Sequence, residues 1–247
     1  MVALILAAGY GTRLYPLAKQ TPKALLPVRG KPILQYLIEK LSLLGPAVEE
    51  IVLVSNHRYA EIFQAWFSEA NPSLPWRVLD DGSTSEENRL GSIGDLVFAI
   101  RSGSLGQKDL LLLGSDNLFR DGLSGFLSFA RQRTPAVTLG AYELPDLSLA
   151  SRYGVLSLDD QGKVLRLDEK PSHPSSPLVS MAVYFFPHTA LTWVLQYVGS
   201  DRSADTLGAF IQWLIAHHPV FAHRFEGSWF DIGDPASYTK AEESFIP

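Results

Sequence analysis

The sequence contains no cysteine, which excludes disulfides, thiolate nucleophiles and cysteine-ligated metal, and fits a reducing compartment such as the cytoplasm. It also lacks any excess of basic residues. With 21 Lys and Arg against 26 Asp and Glu, the formal charge of −5 argues against a broad contact with nucleic acid or an anionic membrane. No apolar run approaches the roughly 20 residues that a membrane helix needs. Met1 to Ala8 is apolar, but it carries no basic n-region and runs directly into Gly9-Tyr10-Gly11, so no secretory leader is expected. Repeats, linkers and low-complexity tracts are missing too. What is present is ordinary globular composition, 46% hydrophobic and 19% charged over 247 residues. That is enough chain to bury a core without metal or disulfide staples, and the expectation is one soluble, cytoplasmic domain.

Val2 to Ala7 is a short apolar run ending near glycine, the pattern of a strand buried on both faces of a parallel sheet. Ile33, Leu34, Leu37, Ile38, Leu41 and Leu44 recur at helical spacing between Pro32 and Gly45-Pro46, giving a crossover helix. Ile51 to Val54 reads as the next strand, Tyr59 to Glu69 as a helix and Arg77 to Leu79 as a third strand. Asp80 to Leu90 reads as a polar loop, followed by a helix from Ser92 to Arg101. Leu110 to Leu113 is another fully apolar strand, ending in Gly114-Ser115-Asp116-Asn117. This alternation predicts an α/β fold, a Rossmann-like three-layer sandwich on a mainly parallel mixed sheet. Ligands of such sheets bind beyond the carboxyl ends of the strands, so Gly9 to Arg13 and Asp116 are expected to share one crevice.

Beyond Val137 to Tyr142 the texture turns antiparallel. Val155 to Leu158 and Val164 to Leu167 flank Asp159-Asp160-Gln161-Gly162, which is hairpin chemistry, and Ser180 to Phe186 is a further strand. Helices over Thr189 to Val198 and Ala204 to His217 follow. The chain then returns to β over Val220 to Asp231, before a last helix from Ala236 to Phe245 that Asp234 caps. Tyr10, Trp193, Trp213 and the adjacent His217-His218 read as packing and helix-end residues.

The most informative stretch is LAAGYGTRLYPLAKQTPKALLPVRGKP, Leu6 to Pro32. Gly9 and Gly11 let the backbone approach an anion, successive amides can cradle phosphate oxygens, and Arg13 and Lys23 supply cations. A dinucleotide fingerprint would need glycine at position 14, where Leu14 stands, and an immediate helix, which Pro16 and Pro22 deny. No GxxxxGK[ST] loop occurs either. A glycine pair alone can simply make a turn; beside Thr12-Arg13 and Pro22-Lys23 it points to a triphosphate loop. Asp116, following a buried strand, is placed for a hard divalent cation or for a turn. Asp231, in WFDIGD, becomes a second ligand if its strand runs beside that of Asp116. Two carboxylates suit Mg²⁺, which completes its shell with phosphate and water.

These motifs resemble the signature of the sugar-phosphate nucleotidyltransferases, the family of the glucose-1-phosphate thymidylyltransferases and related NDP-sugar pyrophosphorylases. The resemblance rests on GxGTRL, PKxLLPV and GKP, and continues through Asp116-Asn117, Tyr153-Gly154-Val155, Glu169-Lys170-Pro171 and Trp229-Phe230-Asp231-Ile232-Gly233, so it covers nearly the whole chain. It implies Mg²⁺ on Asp116 and Asp231. It implies nucleotide contacts from Leu6, Ala8, Gly9, Gly11, Thr12, Arg13, Lys23, Leu90 and Gly91. Sugar-phosphate contacts are implied for Tyr153, Gly154, Glu169 and Lys170, with Arg13, Lys23 and Lys170 handling the reacting phosphates. Residues from 1 to about 145 are expected to form the nucleotide half, and those from about 146 to 247 a smaller antiparallel sugar-binding half and lid. Three departures stand out: an acidic segment over Asp80 to Gly91 where relatives carry a shorter glycine-led one, Ser115 for the usual glycine before Asp-Asn, and Ala182 for a glycine near Tyr184.

The expected reaction joins an NTP, dTTP or UTP among the candidates, to a sugar 1-phosphate with release of pyrophosphate. Two other readings stay open: a cytidylyltransferase for a non-sugar phosphate such as phosphocholine, using Tyr153, Tyr184 and Trp229 around a quaternary ammonium, and a non-catalytic nucleotide or sugar sensor. The residues do not name the base, the sugar or an oligomeric state; a homo-oligomer remains open.

Overall fold

Along strand β1 (Val2–Leu6) the side chains alternate between two cores: Val2 and Leu4 enter one, Ala3 and Ile5 the other. A strand with helices on both faces of its sheet requires this double burial. Strands β4 (Glu50–Ser55) and β6 (Leu110–Gly114) repeat the alternation on either side of β1, parallel and in register, with Val2 opposite both Glu50 and Leu110. Strand β5 (Trp76–Asp80) continues the parallel set beyond β4. Helices α1 (Ile33–Ser42), α2 (Ala60–Ala70) and α4 (Ser124–Arg131) cover one face. Helices α3 (Gly91–Ser102), α5 (Leu191–Val198) and α6 (Leu207–His217) cover the other. The structure, a computed structural model, describes residues 1–200 and 205–246.

Strand β11 (Leu178–Phe186) decides where the crevice lies. Its second part, Val183 to Phe186, runs antiparallel to β6, while its first part meets β9 (Gly154–Leu158) on the same edge at Val179 and Val155. The sheet therefore forks where β6 ends. Strand β10 (Val164–Glu169) hairpins onto β9, and the turn forms as its residues predict: Asp159 accepts hydrogen bonds from the N–H groups of Gln161 and Lys163, and Gly162 takes φ +80°. On the opposite edge of β11 lie β8 (Val137–Glu143) and, parallel to it, β12 (Val220–Phe225). The result is a mixed α/β sheet in the order β10-β9-β11-β6-β1-β4-β5, with β8 and β12 branching from β11.

Two small ribbons complete the frame: β2 (Pro27–Val28) with β3 (Lys31–Pro32), and β7 (Asn117–Phe119) with β13 (Trp229–Asp231). A third core under the glycine loop joins Leu14, Ile33, Leu118 and Ile232 to Phe245, just beyond α7 (Pro235–Ser244). Asp234 caps α7 by accepting from Ser237 N–H at 2.8 Å, as expected.

The return to β over Val220 to Asp231 differs from expectation. It is two strands in two sheets, because Asp121 accepts from the N–H groups of Glu226 and Gly227 and bends the chain between them. Helix α4 lacks a sequence expectation altogether; at eight residues, with only Phe126, Leu127 and Ala130 buried, it offers little periodicity to read. The helix expected from Ala204 starts at Leu207, where Thr206 accepts from Ala209 N–H; Ala204 itself lies outside the described residues. No helix among the described residues is long and apolar enough to cross a membrane.

Candidate active site

The glycine loop is pinned from below. Gly11 adopts φ +62°, and a Cβ there would meet Ala18 Cβ at 3.2 Å, so the left-handed turn favours glycine. The next residues, Thr12–Leu14, form a 3₁₀ turn that buries Leu14 completely. This folds the chain back so that Lys23, opening the 3₁₀ turn Lys23–Leu25 after Pro22, reaches across to the end of β6. There Lys23 Nζ stands 2.6 Å from Asp116 Oδ2. Asn117 Nδ2 donates to Asp116 Oδ1 at 2.9 Å, and Trp229 Nε1 donates to Asn117 Oδ1 at 2.8 Å, so the aspartate is oriented from both sides.

Asp231 arrives by strand pairing. β13 runs antiparallel to β7 with Asp231 opposite Asn117, and Ile232 N–H donates to the Asp116 carbonyl at 3.0 Å. Asp231 thus comes beside Asp116 through β7, the strand that begins one residue after it, rather than through β6, the strand that Asp116 follows. Burial would raise Asp116, but the charge and hydrogen bond of Lys23, with Asn117, hold its carboxyl below the ordinary range. Burial and the charge of Asp116 push Asp231 the other way, upward, against opposition from Lys23, Arg13 and Arg152. Two carboxyls that resist being ionised together are suited to a divalent cation. No group of three or more His, Asp or Glu able to hold an ion occurs among the described residues, so such a cation would draw its remaining ligands from phosphate and water, as Mg²⁺ does.

The opposite wall comes from the β9–β10 hairpin. Lys170, just past β10, takes φ +46°, and its N–H donates to the Tyr153 carbonyl at 3.0 Å. Its ammonium lies 3.7 Å from Glu169 Oε1 and is mostly exposed. Glu169 passes between two glycines. A Cβ on Gly154 would sit 3.2 Å from Glu169 Oε2, and one on Gly208, in the first turn of α6, would overlap it. Burial raises the Tyr153 hydroxyl to about 12, so it stays a hydrogen-bond donor. The whole forms a cleft of about 730 Å³.

Leu6, Ala8, Gly9, Arg13, Lys23, Gly91, Asp116, Tyr153, Gly154, Glu169, Lys170 and Asp231 line that cleft. Gly11, Thr12 and Leu90 are not among its lining residues: Gly11 shapes the loop from behind, Thr12 is exposed at the start of its turn, and Leu90 is exposed beside Gly91. Sequence reasoning missed Arg152, Arg89, Asp95 and Thr206, all of which line the cleft. Arg152 pairs with Asp234, the cap of α7. Its adjacency to Tyr153-Gly154 was an available signal, as was the charge of Asp95 between Ile93 and Leu96 on the buried side of α3.

The family model described as Nucleotidyl transferase matches residues 2–246. The chain is 28% identical over 246 residues to the bifunctional protein GlmU of Methanocaldococcus jannaschii, covering 100% of this chain and 54% of the relative. It is 30% identical over 248 residues to glucose-1-phosphate thymidylyltransferase of Streptomyces antibioticus, covering 100% of this chain and 66% of the relative. It thus spans about half the length of the first of these curated relatives. The solved structure of a UDP-glucose pyrophosphorylase complexed with UDP-glucose superposes with a TM-score of 0.81 at 19% identity, covering 98% of each chain, and so shares the fold. The family model covers every residue but the first and the last, and the chain belongs to the nucleotidyl transferase family.

Proposed function

We propose that the protein transfers a nucleotidyl group from an NTP to a sugar 1-phosphate, releasing pyrophosphate. The observation that carries this reading is the meeting of Lys23, Asp116 and Asp231 in one cleft with Arg13, across from Lys170. Family membership and the activity named for the Streptomyces antibioticus relative support it. A phosphate oxygen of the sugar phosphate attacks the α-phosphorus in line with the departing pyrophosphate, so the protein must align two anions and neutralise charge as it moves. Arg13 holds the leaving pyrophosphate, Lys23 the phosphates around the attacked phosphorus, and Lys170 the phosphate of the nucleophile. Asp116 and Asp231 would hold Mg²⁺, which when bound supplies charge neutralisation between substrate oxygens. Glu169, with Tyr153 and the Gly154 backbone, faces the sugar hydroxyls. The base, including the choice of dTTP or UTP, is open to test.

The phosphocholine reading is less well supported. Tyr153 and Trp229 pack on each other with ring centroids 5.1 Å apart, Tyr184 packs against Phe186, and the Trp229 N–H is already engaged by Asn117, so the three rings do not stand as a cage. Incubation with each NTP, Mg²⁺ and a panel of sugar 1-phosphates plus phosphocholine, following pyrophosphate, tests both. Pyrophosphate release that depends on a sugar 1-phosphate is the expected result. Release with phosphocholine alone, or with no acceptor, rejects the proposal.

A further inference from the structure

The acidic segment after β5 leaves a buried charge unexplained by phosphate chemistry. Asp95, in α3, is 6% exposed and lines the cleft. Its Oδ1 and Asp81 Oδ2 are buried, and neither has a hydrogen-bond partner when both carboxyls are ionised. Yet the two carboxyls lie within hydrogen-bonding reach of each other. One proton between them satisfies both orphaned oxygens, and the surroundings say which group carries it. Asp81 Oδ1 accepts from Ser83 N–H and from Ser83 Oγ, each at 2.7 Å, so Asp81 is stabilised as the anion. Asp95 is then the neutral acid, donating through Oδ1, and its carboxyl, in the lining of the cleft, keeps a second oxygen as an acceptor.

The geometry points to Asp95 as a residue that reads the nucleobase, accepting a hydrogen bond from an N–H group on the base edge. This rests on the nucleotidyltransferase reading above. An acidic wall repels a triphosphate, so the part of the nucleotide that can approach it is the uncharged one. Leu6 to Gly9, which line the same cleft, present small and apolar side chains against which a flat ring can lie. The neutral acid matters because a full carboxylate there would be desolvated without a counter-ion, whereas a carboxyl held by Asp81 offers one fixed acceptor. Such a group discriminates strongly, since a base that presents a lone pair at that point leaves the acceptor unpaired.

The test is steady-state kinetics for the four NTPs and the matching dNTPs with one fixed sugar 1-phosphate, on the wild type and two variants. Asp95→Asn reproduces the neutral acid, with the amide N–H₂ donating to Asp81 and its oxygen kept as an acceptor. It should keep the NTP ranking and stay within about threefold of wild-type kcat/KM. Asp95→Leu keeps the approximate volume and removes the acceptor. It should raise KM for the preferred NTP by roughly 10²-fold, flatten the ranking of the bases and leave KM for the sugar phosphate unchanged. If Asn loses as much as Leu, the group is not a neutral acceptor and the proposal falls. It also falls if the ranking is unmoved in a folded Leu variant, or if the change is in the NTP to dNTP ratio, which marks a ribose contact. Absence of pyrophosphate release by the wild type with every NTP and sugar phosphate would instead reject the activity itself.

Discussion

At the scale of single residues, the site is a set of charges that cannot be removed one at a time without stranding a partner. Asp116→Asn leaves the Lys23 ammonium, 2.6 Å away, without its counter-charge, and Asp231→Asn removes the second carboxylate. Each should lower turnover by about 10²-fold or more, with far-ultraviolet circular dichroism unchanged. A Mg²⁺ titration checks this: a variant restored to near-native activity at limiting metal contradicts the two-aspartate site. Lys23→Ala should chiefly lower kcat, because charge near the attacked phosphorus changes most, whereas Lys170→Ala should chiefly raise KM for the acceptor. Equal effects of both on NTP binding measured by calorimetry without acceptor would contradict that division.

Asp95 carries a pH signature of its own. Burial, then the charge and hydrogen bond of Asp81, raise its carboxyl to about 8, with Arg89 opposing. In the unfolded chain it titrates near 4, so between about pH 4 and 8 the native state binds the extra proton. The stability from this group is therefore full below pH 4 and is lost as pH rises toward 8. Asp95→Asn should remove that slope from urea-unfolding free energies measured across the range; an unchanged slope contradicts the shared proton.

At the scale of elements, close approach of strands bears on one of the sequence's departures, Ala182. A Cβ built on Gly114 at the end of β6 would lie 2.7 Å from Ala182 Cβ on β11. Gly114→Ala should therefore destabilise by roughly 1–3 kcal/mol through overpacking, and Ala182→Gly should relieve most of that in the double variant. Thermal unfolding of the four proteins measures the coupling, and additive effects would show that the pair does not clash. A second relation joins the acidic segment to α6. Arg89 pairs with Asp205 at 2.8 Å, Ser92 N–H donates to the Asp205 carbonyl at 2.9 Å, and Leu207 N–H donates to Ser92 Oγ at 2.9 Å. The next residue, Gly208, touches Glu169. Replacing residues 80–92 should consequently change the NTP ranking and also raise acceptor KM severalfold, because Arg89 and Ser92, which make the tie to α6, go with the segment. A chimera with new base preference and unaltered acceptor kinetics would show the two walls to be independent.

At the scale of the whole molecule, much of the outcome is written in local pattern. The apolar runs at Val2–Leu6 and Leu110–Gly114, the helical spacing of Ile33 to Leu41, the turn at Asp159 to Gly162 and the cap at Asp234 are each decided by neighbours in sequence, so period and turn chemistry reveal them. The motif residues Gly9, Arg13, Lys23, Asp116, Glu169 and Lys170 are legible for the same reason: each stands in a short segment whose composition suits its chemistry. What the sequence left open depends on distance along the chain. Asp231 becomes a neighbour of Asp116 only because β13 pairs with β7, 112 residues separating Trp229 from the Asn117 it bonds. Asp95 looks like a misplaced charge between Ile93 and Leu96 until α3 packs it against Asp81, and Arg152 joins the site only because α7 brings Asp234 to it. Local propensity acts over a few residues, whereas desolvation and charge coupling act through space, and only the packed tertiary structure sets which groups share that space.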